Sequence, residues 1–448
     1  MISFDNIEKY SYGYKFLFTL MKFAHNSIFY DEVLVIGKEN IPKKGEPCFA
    51  ISNHQNGLMD PLAKLTMFSD YRQPVFIARG DIFKKDFIAK LLKFAKVLPT
   101  FRTRDGDRSD IRKNNNTFAT AGDILARGGT VIMYPEAQHQ HGRYLGDFKK
   151  GFPRICFIAE EISDYNLHLK ILPVCLHYTH YEKMGSKLLI IIGTPFTFEE
   201  FFEIHKTDSN LAYAKLNEKT RSILKEMVLD IEDQENYNNY DALRLMVSDK
   251  RIEKKQGKSN YYHHFLEEKK VVQEIDQLKQ KDSQKFELLM EKTKIYQEEL
   301  KKLNFRDWLI NSKVNWFFAI LNDIFLLLTF PIFLFSLVNN GIIYFAPEII
   351  VKKLKDHQLF STIRFAVGFI ISLVWYLLLF FIVLFISKSI LISLVWVSTS
   401  ILFFKYIHFW KMNVKKVFHA YRYLLLKNST QVKNLQELKV GILNFFNV

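Results

Sequence analysis

A histidine and a carboxylate stand six residues apart in one turn-rich loop, the stretch Ser52-Asn53-His54-Gln55-Asn56-Gly57-Leu58-Met59-Asp60-Pro61. An imidazole is a useful base near neutral pH when one ring nitrogen faces a hydroxyl group and an acceptor holds the other. On a regular helix six residues turn the second side chain about 120° from the first, so His54 and Asp60 can meet only across a bend. Gly57 can supply that bend, with Asp60 as the N-cap and Pro61 as the first residue of a helix. The pair indicates either a general base with its orienting carboxylate or a plain helix start.

Two apolar runs further along the chain, each typical of a strand, lead into polar residues that suit an anionic substrate. The first, Thr130 to Tyr134, follows a Gly-Gly turn and leads to Glu136. The second, Lys96 to Phe101, leads to Arg102 and Arg104, whose alternate positions put both guanidinium groups on one face of an extended segment. Two such groups suit a phosphate, because guanidinium binds its oxygens through paired hydrogen bonds. A solvated strand edge or a turn is the alternative role for each of the three residues.

The composition indicates an acidic partner, and specifically a membrane. The net charge is +15, and the isoelectric point is near 9.3. Nucleic acid and anionic lipid both fit that charge, but 42 phenylalanines and long apolar runs without a groove-reading motif favour the membrane. Cys48, Cys156 and Cys175 lack paired spacing, which predicts a reducing compartment and no disulfide. His139 and His141 have no cysteine or carboxylate at ligand spacing, so no metal site is predicted.

Charge and hydropathy divide the chain into five segments. Residues 1–35 are predicted as an interfacial N-terminal helix, although their apolar stripe fits packing against a protein core equally well. Residues 36–210 carry the motifs and are predicted as the catalytic domain. Residues 211–311 are charged, poor in glycine and heptad-like, which predicts long amphipathic or coiled helices. A membrane region at 312–410 and a basic amphipathic tail at 411–448 follow.

The membrane region is predicted to hold about four membrane-embedded segments. Val314 to Ile350 would be roughly 55 Å long as one helix, well over the roughly 30 Å of bilayer hydrocarbon. Pro331 offers a kink and Asn339-Asn340-Gly341 a reversal, so a hairpin is predicted there. Two further spans are expected at 363–386 and 390–406. With four segments the catalytic domain and the C-terminus share one side with two basic clusters, Lys352-Lys353-Lys355 and Lys411-Lys415-Lys416. The positive-inside rule makes that side the cytoplasm.

Four of these motifs, in this order, resemble those of the glycerolipid acyltransferase superfamily, the glycerol-3-phosphate and lysophosphatidate acyltransferases. His54 to Asp60 resembles the family's histidine–aspartate block, with five intervening residues where four are usual. Phe101-Arg102-Thr103-Arg104 resembles the block whose arginine contacts the glycerol phosphate. Tyr134-Pro135-Glu136-Ala137 resembles a Phe-Pro-Glu-Gly block with alanine in place of glycine. Leu172-Pro173-Val174 resembles the fourth block, an apolar run that ends in Pro-Val, so the resemblance covers about the first two hundred residues.

The resemblance implies an α/β acyltransferase domain, with a mixed sheet covered by helices. In this chain a long helical insert and a C-terminal α-helical membrane bundle would follow it. The resemblance also implies that His54 is the general base, that Asp60 orients it, and that Arg102, Arg104 and Glu136 bind the acceptor.

The expected reaction is transfer of a fatty acyl group from an acyl thioester to glycerol-3-phosphate or lysophosphatidate, in phospholipid biosynthesis. Acyl-coenzyme A or acyl carrier protein would be the co-substrate, with no bound cofactor. The expected partners are the lipid bilayer, the glycerophosphate or lysophospholipid acceptor and the acyl donor, and not nucleic acid. Two alternatives stay open: a lyso-aminolipid or other non-phosphate acceptor, and a non-catalytic membrane scaffold that recruits partners through its central helices.

Overall fold

A computed structural model of the chain describes residues 4, 6–70, 72–101, 108–136, 142–255 and 259–448. The chain divides into two compact units. The first comprises Met1–Val228 together with the short segment Lys355–Thr362. The second comprises Leu229–Leu354 and Ile363–Val448.

The first unit is built on a mixed β-sheet, which has seven strands among the described residues. They are β1 (Glu32–Ile36), β2 (Cys48–Ser52), β3 (Val75–Arg79), β4 (Val97–Thr100), β5 (Thr130–Met133), β6 (Lys170–Tyr178) and β7 (Lys187–Ile192). Their order across the sheet is β1-β7-β6-β2-β5-β3-β4. Neighbouring strands are parallel, except that β6 and β7 are antiparallel. The predicted mixed sheet is confirmed.

The central strands are apolar along almost their whole length. All of β2 is buried, as is all of β6 except its first residue. Continuous apolar runs of this kind are typical of strands that are covered on both faces. Strand β2 lies between β5 and β6, parallel to both, with Ile51 opposite Met133 on one side and Pro173 on the other. The carboxyl ends of these three strands therefore meet at one edge of the sheet, where parallel α/β sheets place their ligands.

Helices connect the strands of the first unit. They are α1 (Tyr12–Phe23), α2 (Met59–Met67), α3 (Asp86–Phe94), α4 (Arg108–Ala126), α5 (Gly151–Ile162), α6 (Phe202–Thr207) and α7 (Ser209–Met227). A π-helical segment, Ala24–Phe29, continues α1. Strand β1 begins at Glu32, so the predicted boundary between residues 35 and 36 falls inside a strand whose β-branched residues favour an extended chain.

The second unit is helical throughout its described secondary structure. Its helices are α8 (Tyr237–Lys254), α9 (Tyr261–Lys281), α10 (Ser283–Lys302), α11 (Trp316–Val351), α12 (Phe360–Ser387, whose first turn belongs to the first unit), α13 (Ile390–Leu402), α14 (Phe404–Leu426) and α15 (Thr430–Leu443). Helix α9 buries Val271, Val272 and Ile275, residues from whose spacing an amphipathic helix is predicted. The buried Arg244 of α8 forms an ion pair with Glu268 of α9, which joins the two helices.

The predicted hairpin between Val314 and Ile350 is wrong, because α11 is one continuous helix of 36 residues. Pro331 lies inside this helix and does not end it. The segment Asn339-Asn340-Gly341, which the sequence suggested as a reversal, is helical as well. A turn at this point would leave backbone groups unpaired in apolar surroundings, whereas a helix satisfies them within the segment.

The two asparagines of α11 contact neighbouring helices through a buried polar cluster, which we call the amide cluster. Asn339 Oδ1 accepts a hydrogen bond from Trp396 Nε1 of α13 at 2.8 Å. Asn340 Nδ2 donates to the carbonyl oxygen of Ser400, also of α13, at 2.9 Å, and its Oδ1 accepts from Tyr376 Oη of α12 at 2.8 Å. These interhelical bonds explain why residues with a strong turn preference lie in the middle of a helix.

Three helical segments among the described residues are long and apolar enough to cross a membrane: Trp316–Val351, His357–Ser387 and Ile390–Leu426. The second and third are separated by Lys388 and Ser389. The third is interrupted at Phe403, where α13 ends and α14 begins. The structure therefore has three candidate spans where four membrane-embedded segments are predicted.

Candidate active site

The loop that follows β2 brings the histidine and the aspartate together. His54 Nδ1 lies 2.7 Å from Asp60 Oδ2. The Asp60 side chain is fully buried, whereas the His54 side chain keeps 15% of its surface exposed. Because the carboxylate holds Nδ1, Nε2 is the ring nitrogen that this arrangement presents for base chemistry.

Asp60 accepts hydrogen bonds from three further donors. Its Oδ2 accepts from the backbone N–H groups of Gln55 and Asn56, each at 2.8 Å, and its Oδ1 accepts from Tyr178 Oη at 2.6 Å. Burial by itself raises the pKa of Asp60, but the hydrogen bonds from His54, Tyr178 and the loop backbone outweigh it and hold the pKa below its ordinary value. The carboxylate is therefore ionised at neutral pH and can stabilise an imidazolium.

Backbone geometry at the start of α2 turns the carboxylate toward the loop. Gly57 has a φ of +35°, which lies in the left-handed region that favours glycine. The helix begins at Met59, since the Asn56 carbonyl oxygen already accepts from the N–H groups of Met59 and Asp60. Asp60 is thus not the N-cap that the sequence suggested, but a first-turn residue. Pro61 lies in the same turn, where its missing N–H breaks no helical hydrogen bond.

Glu136, which follows β5, is buried behind the histidine loop. Its Oε1 accepts from the backbone N–H of His54 at 3.0 Å, and its Oε2 accepts from that of Gly146 at 2.8 Å. The glutamate therefore joins the loop after β2 to the loop after β5 and fixes the backbone of the histidine. Its predicted contact with the acceptor stays a prediction.

The imidazole plane is fixed by an aromatic ring. The rings of His54 and Tyr134 are stacked, with centroids 3.9 Å apart and an interplanar angle of 17°. Lys64 Nζ also lies 3.9 Å from the centroid of the Tyr134 ring and donates to the carbonyl oxygen of Met133 at 3.4 Å. Burial lowers the pKa of Lys64 well below its ordinary value, and the negative charge of Asp60 only partly opposes that effect.

No role for Tyr178 or for the side chain of Asn53 is predicted from the sequence. The Asn53 side chain donates to the Leu176 carbonyl oxygen and accepts from the Leu176 N–H, both at 2.9 Å, so it extends the pairing of β2 with β6 beyond the strand. Tyr178 is the last residue of β6. The apolar run that ends at Tyr178 can be recognised in the sequence. If its carboxyl end is placed beside that of β2, the tyrosine comes to the site.

Four residues singled out in the sequence lie outside the described residues: Arg102, Arg104, His139 and His141. The predicted phosphate contact of the two arginines stays a prediction.

Comparison with known proteins gives the following matches. A family model described as Acyltransferase matches residues 32–177. The chain is similar to the 1-acyl-sn-glycerol-3-phosphate acyltransferase BAT2 (chloroplastic) of Brassica napus, with 29% identity over 115 residues that cover 26% of this chain and 30% of that protein. It is also similar to a probable 1-acyl-sn-glycerol-3-phosphate acyltransferase of Mycoplasma pneumoniae, with 23% identity over 190 residues that cover 39% of this chain and 65% of that protein. The crystal structure of PlsC, a 1-acyl-sn-glycerophosphate acyltransferase of Thermotoga maritima, aligns at 23% identity over 47% of this chain and 79% of its own, with a TM-score of 0.33.

The matched region coincides with the site-bearing part of the sheet. The family match begins at the first residue of β1 and ends one residue before Tyr178, so His54, Asp60 and Glu136 all lie within it. The alignments to the Brassica napus protein and to the 1-acyl-sn-glycerol-3-phosphate acyltransferase LPAT1 (chloroplastic) of Arabidopsis thaliana span only 30% and 31% of the lengths of those proteins.

Proposed function

The domain at residues 32–177 belongs to the glycerolipid acyltransferase superfamily, and from this premise we propose that the chain is a membrane-bound O-acyltransferase. It transfers a fatty acyl group from an acyl thioester to the hydroxyl of glycerol-3-phosphate or lysophosphatidate. The observation that carries the proposal is the contact of His54 Nδ1 with the buried Asp60 carboxylate at 2.7 Å. A scaffold without catalysis would have no need for an ionised aspartate held by four donors around a partly exposed histidine.

The reaction follows from this geometry. His54 Nε2 removes the proton from the acceptor hydroxyl, and the oxygen attacks the thioester carbonyl carbon. A carbon–oxygen bond forms and, when the tetrahedral intermediate collapses, the carbon–sulfur bond breaks. The imidazolium returns its proton to the departing thiolate, so the enzyme ends the cycle unchanged. Asp60 stabilises the imidazolium, and Glu136 and the Tyr134 ring hold the histidine in place.

The acceptor would be bound through its charges and hydroxyls. We assign the phosphate to Arg102 and Arg104, because paired guanidinium groups bind phosphate oxygens in a defined geometry. Glu136 holds the backbone of His54, so it would position the acceptor through the histidine loop. A lyso-aminolipid lacks the phosphate and would leave the arginines without this role.

Apolar surface supports residence at a membrane. Besides the three candidate spans, α1 exposes Phe16, Leu20 and Phe23, and Phe87 of α3 is 75% exposed. Lysines accompany these residues, as in helices that lie in a bilayer interface. We place the acyltransferase domain and the C-terminus in the cytoplasm, since basic residues cluster around 352–355 and 411–416. This placement requires that α11 does not cross the bilayer and that the second and third candidate spans both do. A topology reporter fused after Lys355 tests this placement and should report the cytoplasm.

The direct test is transfer of a labelled acyl group by the detergent-solubilised full chain. Acyl-coenzyme A and acyl carrier protein thioesters are offered as donors, with glycerol-3-phosphate, lysophosphatidate and a lyso-aminolipid as acceptors. His54→Ala should lower turnover about 10²- to 10⁴-fold without unfolding the protein. His168→Ala is the matched control, because His168 forms a 2.7 Å ion pair with Glu199 at an exposed position, and it should keep wild-type turnover.

The outcomes separate the candidate functions. Transfer to a phosphate acceptor that depends on His54 supports the proposal. Transfer only to the lyso-aminolipid would reject the phosphate acceptor and the assignment of the arginines. No transfer by wild type with any donor would favour the scaffold.

A further inference from the structure

We propose that Ser361 and Thr362, in the first turn of α12, are positioning residues that hold the catalytic loop in its working geometry. The inference rests on the proposed function, because it concerns the geometry of the same histidine–aspartate pair. Both residues lie far outside the matched region at 32–177. The segment Lys355–Thr362 nevertheless belongs to the same compact unit as that region.

Thr362 contacts the bend of the loop. Its Oγ1 accepts a hydrogen bond from the backbone N–H of Leu58 at 3.0 Å. Gly57 lies so close that a Cβ atom on it would stand 2.4 Å from Thr362 Oγ1 and 3.4 Å from the carbonyl oxygen of Gln358. Glycine is therefore required at position 57 for two reasons: the positive φ of this residue and the close approach of α12.

Ser361 contacts the loop one residue earlier. The buried Ser361 hydroxyl lies 2.6 Å from Asn56 Oδ1 and 2.6 Å from the carbonyl oxygen of Tyr181, and its single proton is shared between these two acceptors. Asn56 Nδ2 donates to the same Tyr181 oxygen at 2.9 Å. The backbone N–H of Asn56 in turn donates to Asp60 Oδ2. Two hydrogen bonds therefore lead from Ser361 through Asn56 to the carboxylate that holds the histidine.

A third contact secures the same segment at the protein surface. His357 Nδ1 lies 3.0 Å from Glu182 Oε1, close in sequence to Tyr181. The segment thus contacts the loop after β2 and the loop after β6. Both loops start at the edge of the sheet that carries the site, since β2 and β6 are parallel.

The helix that begins with these residues continues unbroken to Ser387 and carries one of the three candidate spans. Acyl transfer therefore depends on a membrane helix as well as on the acyltransferase domain. A displacement of the catalytic loop by about 1 Å costs up to roughly 100-fold in rate, so loss of these contacts should act mainly on turnover.

The test measures kcat and the acceptor KM separately in the full chain. Thr362→Val and Ser361→Ala should lower kcat about 10- to 100-fold and leave KM within about twofold of wild type. Thr362→Ser restores the hydroxyl and should restore kcat. Ser372→Ala, which removes a hydroxyl that donates only within α12 to Phe369, is the matched control and should keep wild-type kcat.

A second readout does not depend on turnover. The rate at which diethyl pyrocarbonate modifies His54, followed by mass spectrometry of the peptide, should rise in Thr362→Val and not in Ser372→Ala. If Thr362→Val and Ser361→Ala both keep the wild-type kcat and the wild-type modification rate, the inference is overturned. The proposed function still stands in that case, provided that the wild type transfers acyl groups. If wild type transfers no acyl group, the proposed function fails, and the modification rate still decides whether the first turn of α12 positions the loop.

Discussion

The hydroxyl of Tyr178 donates a 2.6 Å hydrogen bond to Asp60, 118 residues earlier in the chain. Asp60 uses its other oxygen for His54, so the tyrosine and the histidine bind opposite oxygens of one carboxylate. The proposed catalytic pair is thus extended to three side chains, in which the tyrosine adds to the donors that favour the ionised carboxylate and fixes its rotation.

Tyr178→Phe should lower kcat about tenfold and leave the acceptor KM nearly unchanged. The ring stays, so packing is preserved, but a hydrogen bond to a charged group worth about 1.5–3 kcal/mol is lost. The pKa of Asp60 should rise, because one of the donors that favour its ionised form is gone. Steady-state kinetics across pH check both effects, and a variant with wild-type kcat would show that the tyrosine only packs.

The stability of the first unit should fall in acid through Asp60. Its pKa in the folded protein is below the ordinary value, so its stabilising contribution is present above about pH 4 and is lost as pH falls through the folded pKa. Asp60→Asn should therefore be less stable than wild type at neutral pH and should lose less stability on acidification. Thermal unfolding between about pH 3 and about pH 7 measures how the stability of each protein depends on pH. Parallel stability curves for wild type and Asp60→Asn would contradict the prediction.

Lys64→Met should stabilise the protein. The buried Lys64 amine has a pKa well below its ordinary value, so protonation of the amine is less favourable in the folded chain than in the unfolded chain. Methionine removes this penalty at similar volume, and we expect a gain of about 1 kcal/mol or more near neutral pH. The gain should shrink as pH rises toward about 10.4, where the unfolded lysine also loses its proton. A destabilised variant at neutral pH would show that the contact with the Tyr134 ring outweighs the cost of burial.

Gly57→Ala should impair catalysis more than it impairs folding. The new Cβ would clash with Thr362 Oγ1, and an alanine at positive φ costs about 1–2 kcal/mol. Gly45→Ala is the matched control, since Gly45 also has a positive φ, of +96°, but a Cβ there would meet no atom within 4 Å. Both variants should lose stability through the positive φ, Gly57→Ala somewhat more because of the clash, and only Gly57→Ala should lose most of its turnover. Equal activity of the two would show that the approach of Thr362 is unimportant.

The features predicted correctly from the sequence are those that local patterns determine, namely strands and the bend of the histidine loop. The apolar runs at 130–134 and 96–101 contain the strands β5 and β4, and the carboxyl end of β5 leads to Glu136 at the edge of the sheet that carries the site. The bend at Gly57 and the meeting of His54 with Asp60 also follow from the sequence, because a helix cannot make that contact.

Errors arose where a distant partner outweighs a local preference. Asp60-Pro61 is a good helix start, yet the carboxylate binds His54 and Tyr178 and caps nothing. Asn339 and Asn340 are good turn residues, yet tryptophan, tyrosine and a backbone carbonyl on other helices satisfy them. The contact of Thr362 with Leu58 joins residues 304 positions apart, which no periodicity in a single sequence reveals.

The amide cluster also sets the register of α11, α12 and α13. Apolar side chains pack almost equally well after a helix slides by one turn, about 5.4 Å along its axis. Such a slide would take Asn339 away from Trp396 and Asn340 away from both Ser400 and Tyr376, stranding amides where no water can replace the lost partners. The two asparagines therefore favour one packing register of α11, α12 and α13 over others in which the apolar side chains would pack equally well.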